Sequence, residues 1–116
     1  MKAFKIETPP YGTKLLALFG KPSEARKRLK NEISKKNLKR WDFKGCDGLT
    51  IMYGALAVMW VRELPKTPRL KNVLQHELVH VVNDILSYVG VERTGSDEGG
   101  AYLTGWITEQ IYKKLK

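Results

Sequence analysis

Apolar residues recur along this chain in two rhythms. Between Pro68 and Gly90, Leu70, Val73, Leu74, Leu78, Val81, Val82, Ile85, Leu86 and Val89 fall three or four positions apart, which predicts one long amphipathic helix with a broad apolar arc. Thr67 stands as its N-cap, Pro68 at its first position and Gly90 where a left-handed C-terminal residue is wanted. After a connection from Gly90 to Gly95, Leu103, Ile107, Ile111 and Leu115 form the stripe of a second helix. Ser96 is its expected N-cap, and Asp97 and Glu98 suit the positive end of its dipole.

The first half of the chain carries shorter apolar runs. Lys2 to Glu7, Leu15 to Phe19, Leu49 to Tyr53 and Leu56 to Val61 read as strands, separated by turn residues such as Thr8-Pro9-Pro10-Tyr11-Gly12 and Gly45-Cys46-Asp47-Gly48. Gly54-Ala55 joins the last two strands as a hairpin. Ser23 is placed to cap a helix running to about Lys36, with Ala25, Leu29 and Ile33 as a thin apolar stripe. The order β-β-α-β-β-α-α predicts an α+β fold in which a small mixed sheet of about four strands packs against helices, as a single domain over residues 1–116.

The long helix also has a polar seam. His76, His80, Asn83 and Ser87 share one narrow stripe, and Glu77 and Asp84 lie between that stripe and the apolar arc. His76-Glu77-Leu78-Val79-His80 contains both histidines of the chain, four positions apart on one helix face. Two imidazoles so placed can reach one metal ion, and the glutamate beside them can take a proton from water. This is the H-E-x-x-H arrangement, in which the histidines bind Zn²⁺ and the glutamate is the general base.

A third ligand is then needed. No third histidine follows, so the next candidates are carboxylates at the start of the C-terminal helix: Glu98 first, with Asp97 beside it. Asp84 is poorly placed to converge with histidines on its own helix, and could instead orient one of them. Tyr102, one turn after Glu98, is either a hydroxyl aimed at the metal side or a core aromatic with a wet tip. Gly99, Gly100, Ala101 and Gly105 make the last helix small enough to approach its neighbour closely.

H-E-x-x-H followed by an acidic residue on the next helix resembles the gluzincin branch of the zinc metallopeptidases. The run Asp97-Glu98-Gly99-Gly100-Ala101-Tyr102-Leu103, with its Glu-x-x-Ala-Tyr-Leu core, is similar to small phage-encoded and minimal single-domain members. The resemblance covers about Arg69 to Tyr112. It implies a zincin-like fold, Zn²⁺ held by His76, His80 and Glu98, Glu77 as the base or acid, and hydrolysis of peptide or protein substrates. It also implies that a hairpin strand around Ala55 to Arg62 could pair with substrate backbone. Two features depart from the larger members: only seventeen residues separate His80 from Glu98, and the Asn-Glu-x-x-Ser-Asp signature is missing.

Charge adds a second theme. The formal net charge is +9, and Lys21 to Lys44 alone carries ten Lys or Arg against three acids. With Trp41 and Phe43 close by, this region could meet nucleic acid or an acidic partner; the commoner arrangement is a solvated lysine face with both aromatics packed into the core. The alternative reading of the chain is therefore a basic binding module on a zincin scaffold with a structural or vestigial metal, for instance a phage accessory protein. The single cysteine, Cys46, excludes an internal disulfide and suits a reducing compartment. No membrane-length apolar run and no secretory leader are visible, so the expected location is the cytoplasm, a host's if the protein is phage-encoded.

Overall fold

The computed structural model describes residues 1–93 and 95–116; Thr94, inside the predicted Gly90–Gly95 connection, lies outside the described residues. The elements are β1 (Lys2–Thr8), β2 (Thr13–Phe19), α1 (Pro22–Leu29), α2 (Lys35–Leu38), β3 (Gly48–Tyr53), β4 (Leu56–Val61), α3 (Pro68–Val89) and α4 (Glu98–Leu115). The strands form one mixed sheet in the order β1-β2-β4-β3. The outer pairs are antiparallel hairpins, and β2 runs parallel to β4, with Leu15 opposite Ala57 and Phe19 opposite Val61.

Central strands covered on both faces read as continuous apolar runs, and β2 and β4 do. Leu15, Ala17, Phe19, Ala57, Met59 and Val61 point to a core shared with α3 and α4. Leu16, Leu18, Val58 and Trp60 point the other way, to a core closed by Ala25, Leu29, Trp41 and Phe43. The two layers therefore have separate linings, α3 and α4 on one face and α1 with the α2–β3 segment on the other.

The long helix keeps its predicted limits. The Thr67 hydroxyl accepts the Leu70 N–H at 3.2 Å, and Gly90 closes the helix at φ +75°. Three expectations are corrected. The basic helix ends at Leu29 and restarts as the short α2, because the Ser34 hydroxyl accepts the Asn37 N–H and caps a new turn. α4 starts at Glu98, and its N-cap position is Asp97 at φ +40°, since the Asp97 carboxylate is taken by Arg93. The strand over Ala55 to Arg62 is not an edge: β4 pairs with both β2 and β3, and β3 is the edge beside α3. Among the described residues no helix is long and apolar enough to cross a membrane.

Glu32 joins the basic layer to the sheet edge. It meets Lys5 Nζ at 3.0 Å and Arg28 Nη2 at 3.2 Å. Burial acts to raise its carboxyl, but the hydrogen bonds and charges of Lys5 and Arg28 outweigh that and hold it below the ordinary glutamate range. A carboxyl lowered in the folded state adds stability above its unfolded pKa, and loses it as pH falls through the folded value. Glu32→Gln should therefore melt a few degrees below wild type at pH 7. In thermal melts followed by circular dichroism, the gap should close as the pH drops below about 4.

Candidate metal centre

The amphipathic pattern of α3 decides where its polar seam goes. With Leu74, Leu78, Val81, Val82, Ile85 and Leu86 buried against the sheet and α4, His76 and His80 are left on the exposed side. Their Nε2 atoms converge to 3.3 Å, with the rings nearly perpendicular at 76°. Two nitrogens each 2.0–2.1 Å from one tetrahedral zinc would stand roughly 3.3–3.4 Å apart. The imidazole pair thus already spans the edge of such a site. Without metal, the same separation suits a hydrogen bond from one neutral ring to the other.

Glu77 lies about 100° round the helix and is only 5% exposed. Its Oε1 accepts a hydrogen bond from the Thr50 hydroxyl at 2.7 Å. Gly48 sits two residues earlier on β3, on the same face of the strand as Thr50. A Cβ there would stand 2.7 Å from Glu77 Cγ and 2.9 Å from Oε2. A missing side chain and a hydroxyl on alternate positions of the edge strand thus make the seat for the carboxylate. Sequence reasoning missed both residues; the available signal was Gly-x-Thr at strand spacing immediately after a turn.

Clefts open on either side of this seat. One, of about 320 Å³, is lined by Cys46, Asp47, Gly48, Asn72, Val73, His76 and Glu77. The other, of about 430 Å³, is lined by Arg40, Thr50, Ile51, Met52, Asp84, Ser87 and Tyr88. Both are bounded by β3 and α3, so the edge strand borders them along its length. Asp84, in the second cleft, makes no hydrogen bond to a histidine among the described residues. Burial raises its carboxyl, and the charge of His80 offsets this only in part.

The predicted carboxylate ligands behave differently from the histidines. Glu98 opens α4 with an exposed side chain. Among the described residues, no three of His, Cys, Asp and Glu stand close enough to hold a metal ion. The structure therefore brings the His76 and His80 imidazoles together, seats Glu77 on the neighbouring flank of the helix, and does not bring Glu98 within metal-binding reach of them. Asp97 is occupied: Arg93 Nε and Nη2 donate to its two oxygens at 3.0 and 2.6 Å, and the hydrogen bonds of this pairing hold the carboxyl below its usual range. The same guanidinium donates to Asn83 Oδ1, one helical turn past His80. Arg93 thus ties the residue before Glu98 to the histidine helix. Tyr102 is 52% exposed, so its ring is not a core aromatic.

Comparison with protein-family models, with curated proteins and with solved structures returns no match.

Removing the Thr50 hydroxyl should expose how far Glu77 depends on its seat. Thr50→Val leaves the buried carboxylate without its partner and should cost about 1–3 kcal/mol in denaturant unfolding. Gly48→Ala should cost a comparable amount by crowding Glu77, and the loss should shrink when Glu77 is also replaced by Ala. Equal losses with and without Glu77 would detach Gly48 from this role.

Proposed function

We propose that this chain is a zinc-dependent hydrolase of peptide bonds, with His76, His80 and Glu98 holding the metal and Glu77 moving the proton. The observation that carries the reading is the 3.3 Å convergence of the two Nε2 atoms beside a carboxylate seated by Thr50. The donor set of two imidazoles and one carboxylate suits zinc with a coordination position left open. Zinc held there would acidify bound water and polarise a substrate carbonyl.

The chain's own residues supply the rest. Glu77 accepts a proton from the attacking water at the carboxylate oxygen not held by Thr50, then delivers it to the departing amine nitrogen. Thr50 fixes the direction of that carboxylate, so proton transfer needs no search for geometry. Glu98 has no hydrogen bond or ion pair among the described residues, and is free to turn toward the imidazoles on metal binding. Arg93 keeps the first turn of α4 beside α3 for that purpose. Tyr102 is exposed and available to donate to the substrate carbonyl oxygen. The open edge of β3 offers backbone donors and acceptors to an extended substrate lying between the two clefts.

The test separates metal from turnover. Wild-type protein should retain about one zinc per chain by mass spectrometry and cleave members of a mixed peptide library. Glu77→Gln should keep its zinc and lose hydrolysis by about 10²-fold or more, whereas His76→Ala should lose both. Cleavage by Glu77→Gln at the wild-type rate would contradict the mechanism.

A further inference from the structure

The layer on the far side of the sheet has a charge distribution that the proposed hydrolase does not use. Lys27, Lys30, Lys35, Lys36, Lys39 and Lys44 are all exposed, and none forms an ion pair among the described residues. The acids that might have neutralised them are engaged elsewhere. Glu24 meets the N-terminal ammonium at 3.1 Å, Glu32 is shared by Lys5 and Arg28, and Asp42 accepts the backbone N–H of Lys44. Folding therefore leaves these lysines without an ion-pair partner among the described residues.

We propose that the α1–α2 layer is a binding surface for double-stranded nucleic acid, recognised through its phosphates and without regard to sequence. The type of cation points to the partner. Protein interfaces are depleted in lysine and enriched in arginine and aromatic side chains, and the cations of this layer without an ion pair among the described residues are lysines apart from Arg40 and the half-buried Arg26, which is held by the Trp41 carbonyl. Phosphate backbones, by contrast, need only point charges. The fate of the aromatics narrows the choice further. Trp41 is 1% and Phe43 6% exposed, locked by a Trp41 Nε1–Tyr53 hydroxyl bond of 2.8 Å and by edge-on packing of Phe43 against Trp60. With its stacking platform buried, the layer has no preference for unpaired bases. It lies across the sheet from α3, so a bound duplex leaves the imidazole pair open.

Fluorescence anisotropy with a labelled duplex of arbitrary sequence, read across a salt series, tests this on the whole protein. Four to six phosphate contacts predict a slope of log affinity against log salt of about −4 to −5, with a single strand of the same length bound no more tightly than the duplex. Binding should be unaffected by chelator. Lys30→Glu, Lys36→Glu and Lys39→Glu together should weaken it by on the order of tenfold or more with the melting temperature retained. The same charge change at Lys66, Lys114 and Lys116 should weaken it much less. A slope shallower than about −1, equal loss from the two triple variants, or a clear preference for the single strand would overturn the proposal. So would displacement of the duplex by poly-glutamate at equal charge concentration, which would assign the surface to an acidic protein.

Discussion

A carboxyl group removed from water needs hydrogen-bond partners, and the site depends on how this chain meets that demand at Glu77. Thr50 supplies the bond and Gly48 the space, both from the edge strand β3. That seat agrees with the rotation of α3 that its buried apolar arc sets. His76, about 100° round the helix, and His80, about 60° round on the same side, are left exposed. The hydrogen bond between helix and strand thus holds the Glu77 carboxylate against the open edge of the sheet, on the helix flank next to the imidazole pair.

The sheet separates two kinds of surface. Its α3–α4 face carries the histidines and the clefts along β3, with the large apolar core beneath them. Its α1–α2 face carries free lysines over a smaller core built around Trp41, Phe43 and Trp60. The two meet at Arg40, which lies over the Tyr53 ring and also lines the cleft beside Thr50. Side chains that alternate along β2 and β4 serve both layers, so packing in one is coupled through the strands to packing in the other.

Much of this was legible in the sequence because the signals were local. The limits of α3 follow from Thr67, Pro68 and Gly90, and the α+β order from the spacing of apolar runs. The His76–His80 convergence needs only helical geometry. What the sequence left open needed partners that only the folded chain supplies, some distant in sequence and one, Arg93 for Asp97, only four residues away. Trp41 and Phe43, set in a run of lysines, could serve either a binding face or the core, and Trp60 and Tyr53 packed against them decide for the core. β4 looks like a free hairpin strand until β2 pairs alongside it. Asp97 reads as a spare ligand or dipole acid until Arg93 claims it. The approach of Glu98 to the imidazoles depends on how α4 docks, which no local pattern encodes.

The central claim is that this helix seam is a zinc site built from two imidazoles and a carboxylate. X-ray absorption at the zinc edge of the zinc-loaded protein tests it most directly. The account predicts a first shell of only nitrogen and oxygen at about 2.0–2.1 Å, containing two imidazoles, with one oxygen donor lost in Glu98→Ala. A sulfur scatterer at about 2.3 Å, or a shell unchanged by loss of His76 and His80, would contradict it.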